Sequence, residues 1–504
     1  MRRYLPLLLV VVAAALATAA AVTSSPRWWL AAGPLLALTG LGCRDVAQRR
    51  VPVLRNRPLT GRLRGGRVAR TPAAGSPAAL SAAARTPAGE PDVYAPGHAF
   101  LVPSLCPVEP SEEPPAVRVG GPDCRLPYDM ALLNVSGMSF GALSPRAVLA
   151  LNEGARLGRF AQGTGEGGLS EHHLRGGGDL VWEIGTGYFG CRTGDGGFDA
   201  RQFADKAALP EVRCVALKLS QGAVPGGGAV LPGVKVSAAV ARERGVRAGG
   251  AVVSPARHRV FSTPRELVLF LARMRELAGG KPVGFKLCVG SRREFLAVCR
   301  AMLAEGVTPD FVVVDGAEGG TGGPPSGSAG RLGAPLTEGL LTVHNALVGA
   351  GLRERIRIGA SGRVATGTDL VERLALGADY ANSARAMMRA LGCVEALRCH
   401  TGACPAGITT QDRLRARALD VREGSRRVQR FQRDTVREAV RVMAAMGVRE
   451  PRDLSPAHLV RRSGAAEPRS WAESYEWLEP GALPAGPPQS WAADWKGADP
   501  DSFT

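Results

Sequence analysis

From about residue 128 the chain alternates short apolar runs with longer segments of helical period. Runs bounded by glycine or polar clusters predict strands over Leu132–Ser136, Phe160–Thr164, Cys214–Leu219, Val283–Cys288, Phe311–Asp315, Ile356–Ala360 and Tyr380–Ser383. Between them, 3.6-residue periodicity predicts helices over Pro264–Leu277, Arg292–Ala304, Leu336–Val348 and Thr368–Ala375. Strand followed by helix, repeated, means a parallel sheet. About eight such units over roughly 270 residues fit a TIM (β/α)8 barrel better than a doubly wound sheet.

The ends of the chain follow other patterns. Tyr4–Pro26 carries no charge, and Leu5–Val22 is nearly all apolar. At about 1.5 Å per residue that run can span a hydrocarbon core of roughly 30 Å, whereas the second uncharged run, Trp28–Cys43, reaches about 24 Å. Arg2 and Arg3 precede the first run, and Arg44, Arg49 and Arg50 follow the second. Positive flanks at both outer ends predict a transmembrane hairpin with both ends, and the catalytic region, in the cytoplasm. A cleaved signal peptide is the rival reading, because alanine-rich sequence precedes Ser24. Domains follow as 1–43 hairpin, 44–92 basic Pro/Gly/Ala-rich linker, 93–411 barrel and 412–504 C-terminal helices with a Trp/Pro-rich arm. The fold class is therefore α/β, a barrel with an N-terminal membrane hairpin and a helical, extended C-terminal arm.

Composition narrows the function. With 45% hydrophobic and 21% charged residues, the chain buries a large core and is neither disordered, collagen-like nor polytopic. The net charge of +18 resembles a nucleic-acid signal until it is located: residues 1–90 hold 13 Arg against Asp45 and Glu90, or +11. That excess lies beside the apolar runs, where it meets anionic lipid rather than nucleic acid. Aromatics are only 5%, which argues against a base-stacking surface.

Glycine-rich sequence follows strand after strand: GMSFGALS at 137–144, GTGEGG at 163–168, SQGAVPGGG at 220–228, DGAEGGTGGPP at 315–325 and GASGRVATG at 359–367. On a barrel these form the active-site rim, where glycine lets backbone N–H groups approach a phosphate or flat ring. Two G-x-G-x-x-G matches, Gly163/Gly165/Gly168 and Gly185/Gly187/Gly190, do not open an apolar helix and give no dinucleotide fingerprint. Lys218 and Lys286 end apolar strands, so they face ligand or sit in salt bridges. Glu166, between glycines, is a solvated acid or a proton relay. Cys393, Cys399 and Cys404 lie on one loop, which suits an iron–sulfur cluster; zinc with His400 as fourth ligand, or plain core cysteines, are the alternatives.

Together GMSFGALS, GTGEGG, KLSQGA, LPGVKV, VDGAEGGTG and ALGC-x5-C-x4-CP resemble the synthase region of glutamate synthase, in the style of its stand-alone, membrane-anchored FMN-binding branch. The resemblance runs from about residue 94 to 504. It implies an FMN-binding barrel with a 3Fe-4S cluster. By residue, it implies that Ser139, Gly141, Gly319 and Gly320 lie beside FMN, and that Gly362, Arg363, Ser383 and Arg385 hold its phosphate. Lys218, Gln221 and Lys286 would contact flavin or substrate, Glu166 would handle a proton at the imine carbon, and Cys393, Cys399 and Cys404 would hold the cluster. The implied reaction is reductive amination of 2-oxoglutarate with ammonium or another amine, electrons arriving from an external donor such as ferredoxin or a reductase. Related flavoenzyme chemistry on another amine or oxo acid, or an electron-transfer subunit, are the alternative functions. The sequence departs from the family at Val224, where QGAKPG often carries lysine, which removes one cation from the substrate carboxylate. It also shows no glutaminase domain and no N-terminal nucleophilic Cys, so free ammonium, another amine or a partner glutaminase is the expected nitrogen source.

Overall fold

Eight parallel strands close into a barrel in chain order: β1 Leu133–Val135, β2 Gln162–Gly163, β3 Leu180–Ile184, β4 Val212–Lys218, β5 Val283–Leu287, β6 Phe311–Asp315, β7 Arg357–Ser361 and β8 Tyr380–Ser383. β8 closes on β1, with Ala381 opposite Leu133. This computed structural model describes residues 4–63, 94–95, 97–222, 228–319, 331–462 and 468–504. Every strand expected from an apolar run falls on a barrel strand. β3 is the addition, and Glu183 explains it: a charged side chain directed into the barrel breaks the apolar run LVWEI.

Period-two alternation gives each strand two faces. Cys214, Ala216, Phe311, Val313 and Tyr380 pack together inside the barrel, while Val215, Leu217, Val312 and Val314 join the larger core under the helices. The antiparallel pair Ala116–Val119 and Tyr128–Ala131 adds Val119 and Met130 to the interior cluster and plugs its N-terminal end. Toward the C-terminal ends of the strands the inward positions turn polar: Ser136, Glu183, Lys218, Lys286, Asp315 and Ser361, all buried. That change of chemistry along the barrel axis positions the site.

The expected helices appear as Pro264–Leu277, Arg292–Glu305, Leu336–Gly349 and Gly367–Ala375. Thr263 and Glu266 form a capping box at the first, and Thr366 and Asp369 one at the last. The helical region after residue 412 resolves into Arg413–Ala416 and the 25-residue helix Val421–Ala445. The latter lies along Pro145–Gly158, where a side chain at Gly154 would meet Val428 at 2.8 Å. The tryptophan-rich arm is fastened to the outside: the Arg292 guanidinium lies 4.4 Å over the Trp491 ring, and its Nε donates to Asp494 at 2.6 Å.

At the N-terminus, Leu5–Thr23 and Trp29–Ala47 pack antiparallel around a turn capped by Ser25. Leu5–Thr23 is the one helix among the described residues long and apolar enough to cross a bilayer, with mean hydropathy 2.6. Trp29–Ala47 ends in Arg44 and Asp45 and falls short of that. Leu5, Leu8, Leu9, Leu16 and Leu30 point outward from the pair. The chain beyond is helical at Pro52–Asn56 and Thr60–Leu63 and rests on the barrel, where Asn56 Nδ2 donates to the carbonyls of Pro405 at 2.9 Å and Arg415 at 3.0 Å.

Candidate functional site

Two buried lysines organise the C-terminal face of the barrel. Lys218 ends β4 and Lys286 lies near the end of β5, directly opposite each other in register. Lys286 Nζ is 3.8 Å from Glu183 Oε1 and 4.0 Å from Asp315 Oδ1, with all three side chains at most 8% exposed. Burial pulls the Lys286 pKa down, but Asp315, Glu183 and Glu166 outweigh it and hold the group as an ammonium. Asp315 also accepts the Gly222 N–H at 2.8 Å, tying the loop after β4 to the end of β6. Two glycines are required by close approach. A Cβ at Gly222 would lie 1.8 Å from the Gly316 carbonyl oxygen, and one at Gly137 would lie 2.0 Å from Glu183 Oε1.

Lys218 Nζ donates to Glu166 Oε2 at 2.7 Å, and Ser254 Oγ donates to Oε1 at 3.2 Å. Burial raises the Glu166 pKa, yet Lys218, Arg244 and Ser254 together bring it below the usual carboxylate range, so Glu166 is ionised. Arg244 lies 4.9 Å over the Phe189 ring and donates to Ser139 Oγ and the Phe140 carbonyl, each at 3.4 Å. Its Nε is buried and has no hydrogen-bond partner among the described residues. Burial brings Arg244 down to about 10, with Glu166 opposing. Beneath the group, His258 pairs Nε2 with the Lys218 carbonyl at 2.9 Å and Nδ1 with Tyr188 Oη at 3.2 Å. Burial lowers that imidazole to about 4, so it is neutral and structural.

A cavity of about 420 Å³ opens beside this polar layer. Of the residues expected at the site, it brings together Gln221, Lys286, Gly319, Gly362, Arg363, Ser383 and Arg385. Ser139, Gly141, Glu166 and Lys218 do not line it; Ser139, Glu166 and Lys218 belong to the neighbouring Arg244 group, and Gly141 stands at its edge. Gly320 and Val224 lie outside the described residues. Ser383 Oγ donates to the Val364 carbonyl at 2.7 Å, joining the loops after β7 and β8. Arg363 sits in the left-handed region at φ 50°, uncommon for a residue other than glycine, and such conformations gather at binding loops. Arg373 and Arg389 add two more cations to the wall. The nearby acids serve caps: Asp369 accepts from the Ala365 and Thr366 N–H groups at 2.9 Å, and Glu318 from Leu336 N at 3.1 Å.

The cysteine loop is joined to the rim loop after β1 through Lys235, whose Nζ donates to both the Ala142 and the Cys399 carbonyls. Burial raises the Cys393 thiol to about 12, and Cys404 and Cys399 are close enough to add to the effect. Among the described residues no group of three or more His, Cys, Asp or Glu side chains is arranged to hold a metal ion. Glu395 and Leu397 at φ 50° and 51°, and Gly402 at 68°, give the loop its tight, left-handed path.

Residues 128–449 match the family described as the conserved region in glutamate synthase. The chain belongs to the glutamate synthase family. It is 41% identical over 346 residues to the glutamate synthase large subunit-like protein YerD of Bacillus subtilis, covering 68% of this chain and 66% of that protein. It is 31% identical over 315 residues to the archaeal glutamate synthase (NADPH) of Methanocaldococcus jannaschii, covering 62% of this chain and 58% of that one. The chain thus spans somewhat less than two thirds of the length of these relatives. Among solved structures it resembles a flavocytochrome b2 double mutant with pyruvate bound, at TM-score 0.43 and 15% identity over 75% of this chain and 82% of that one. A mandelate oxidase with (S)-2-phenylpropionate gives TM-score 0.42 and 16% identity, over 74% and 94% of the two chains.

Four residues of this glutamate synthase family site were not among those picked from sequence. Asp315 ends an apolar strand just as the two lysines do, so its position alone was a usable signal. Glu183 breaks a strand pattern. Arg244, at the C-terminal end of helix Ala238–Arg244, and Lys235, in the turn before it, reach their partners only through the tertiary fold.

Proposed function

We propose that the chain is an FMN- and iron–sulfur-dependent oxidoreductase of the glutamate synthase type, which reductively aminates 2-oxoglutarate. The observation that carries the reading is the cavity that joins Lys286, fixed as an ammonium by Glu183 and Asp315, to Arg363 in the loop after β7 and Arg385 at the start of helix Arg385–Ala390. That distribution suits FMN. The arginines match a phosphate dianion, and a fixed ammonium favours a ring system that gains negative charge on reduction. Gly137, where no Cβ fits, leaves backbone as the cavity surface near β1. When bound, FMN supplies the hydride that converts 2-iminoglutarate to glutamate.

The remaining chemistry belongs to the chain. Lys218 and Arg244 are buried cations facing Glu166 and Ser139, beside the cavity, and bind and orient the carboxylates of the oxo acid. Glu166, ionised and already accepting from Lys218 Nζ, takes a proton from the incoming nitrogen, and Lys218 Nζ is the paired donor. Gln221, in the loop anchored by Asp315, offers an amide to the same substrate. The balance is one 2-oxoglutarate, one ammonium, two electrons and two protons giving glutamate and water. Val224 favours a second reading, in which a different oxo acid occupies the site.

Cys393, Cys399 and Cys404 would hold the 3Fe-4S cluster. The three thiols lie on one loop, with Cys399 and Cys404 near enough to Cys393 to act on its charge, which supports that reading. Electrons then come from an external donor such as ferredoxin or a reductase. The outward-facing leucines of Leu5–Thr23 support attachment to a membrane, with the barrel on the cytoplasmic side. The test is the absorption spectrum of anaerobically purified protein, expected to show flavin bands over a broad iron–sulfur shoulder. Protein free of both flavin and iron overturns the reading.

A further inference from the structure

Lys235 is among the largest fully buried side chains of the protein, at 0% exposure, and it is an unusual one. It ends the short turn Gly233–Lys235 of the LPGVKV stretch. Its Nζ donates to the Ala142 carbonyl at 2.7 Å and to the Cys399 carbonyl at 2.9 Å. Both partners are neutral main-chain groups. Among the described residues no carboxylate lies within ion-pair distance of it, in contrast to Lys218 and Lys286. A buried ammonium without a counter-charge is strongly unfavourable, so a site that keeps one supplies negative charge from elsewhere. Three cysteines that hold a cluster do so as thiolates, and the bond from Lys235 Nζ to the Cys399 carbonyl places the lysine beside that loop.

The two carbonyls belong to different parts of the site. Ala142 lies in the GMSFGALS loop, whose Ser139 receives Arg244, and Cys399 lies in the cysteine loop. One side chain therefore fastens the cysteine loop to the rim loop after β1.

We propose that Lys235 is a positioning residue for the redox centre: it fixes the cysteine loop against the rim and supplies the buried positive charge that sets the cluster's reduction potential. The inference rests on the reading that Cys393, Cys399 and Cys404 hold an iron–sulfur cluster. A fixed cation beside a redox group stabilises the form that carries one more electron, so it raises the midpoint potential.

The test uses the anaerobically purified full chain and three variants: Lys235→Met, which removes charge and donors; Lys235→Gln, which keeps donors without charge; and Lys235→Arg, which keeps both. Iron and acid-labile sulfide are counted first, then the midpoint is read by a redox titration followed by EPR. The expected result is a midpoint shifted to lower potential in Lys235→Gln, a larger shift or loss of iron in Lys235→Met, and a value near the parent's in Lys235→Arg. Full iron and an unmoved midpoint in both neutral variants would overturn the proposal. So would iron loss in all three, because it makes the exact side chain matter and the charge not. A parent protein without iron fails differently: it sinks the cluster reading itself, before any variant is compared.

Discussion

Replacing Lys218 by methionine removes one half of a buried ion pair and leaves the other half in place. Lys218 Nζ and Glu166 Oε2 are 2.7 Å apart, with side chains 7% and 14% exposed. Breaking such a pair from one side costs about 3–5 kcal/mol, most of it the burden of an uncompensated buried charge. Ser254 still donates to Glu166 and Arg244 still lies nearby, so the lower figure, about 3 kcal/mol, is expected. The pH dependence follows from Glu166. In the parent its folded pKa lies below the unfolded value, so its contribution is fully present above about pH 4.3 and lost as pH falls through the folded pKa. Without Lys218, burial becomes dominant and raises the Glu166 carboxyl. The variant then takes up a proton on the folded side at higher pH, and its deficit against the parent shrinks as the solution is acidified. Urea unfolding followed by tryptophan fluorescence between pH 8 and pH 5 measures both effects. The double variant Lys218→Met/Glu166→Gln removes the unpaired carboxylate and recovers part of the loss, while Arg244 gives up its Glu166 counter-charge. Parent and Lys218→Met agreeing within about 0.5 kcal/mol at pH 7, an interval typical of neutral surface changes, refutes the reasoning. A deficit that does not change with pH refutes it as well.

Other consequences are read more simply. Arg363→Ala should weaken FMN binding by about 10- to 150-fold, the equivalent of a charge-assisted hydrogen bond of about 1.5–3 kcal/mol, measured by flavin fluorescence titration; unchanged affinity removes Arg363 from the phosphate site. Gly222→Ala places a Cβ 1.8 Å from the Gly316 carbonyl oxygen and should destabilise the protein by about 1–3 kcal/mol or more, seen as a lower unfolding temperature. Cys399→Ser should abolish the broad iron–sulfur absorbance while FMN stays bound, because the loop lies after the barrel has closed; retained iron in that variant assigns the cluster elsewhere.

The barrel was legible because strands buried on both faces read as continuous apolar runs, and because turn and cap residues mark the ends of their helices. β3 was harder for the same reason: Glu183 points inward among polar partners, so its strand lacks the run. Lys218 and Lys286 stood out as charges at strand ends, yet their partners could not be read with them. The Lys286–Asp315 and Lys286–Glu183 pairs depend on barrel register, and Lys218–Glu166 joins the end of β4 to a loop residue 52 positions away. The cysteines were conspicuous by spacing, whereas Lys235 beneath them is separated from Cys399 by 164 positions and is linked only by the fold. The docking of Pro52–Asn56 on the barrel was likewise hidden, since a short basic stretch has no pattern that says what it rests against.

The central claim is that reduced flavin on this barrel passes its electrons to an imine made from 2-oxoglutarate. The most direct measurement mixes anaerobically photoreduced protein with 2-oxoglutarate and ammonium in a stopped-flow spectrometer and assays glutamate in the quenched product. The account predicts that flavin absorbance returns only when both substrates are present, with one glutamate formed per flavin reoxidised. Flavin that remains reduced in the presence of both contradicts it.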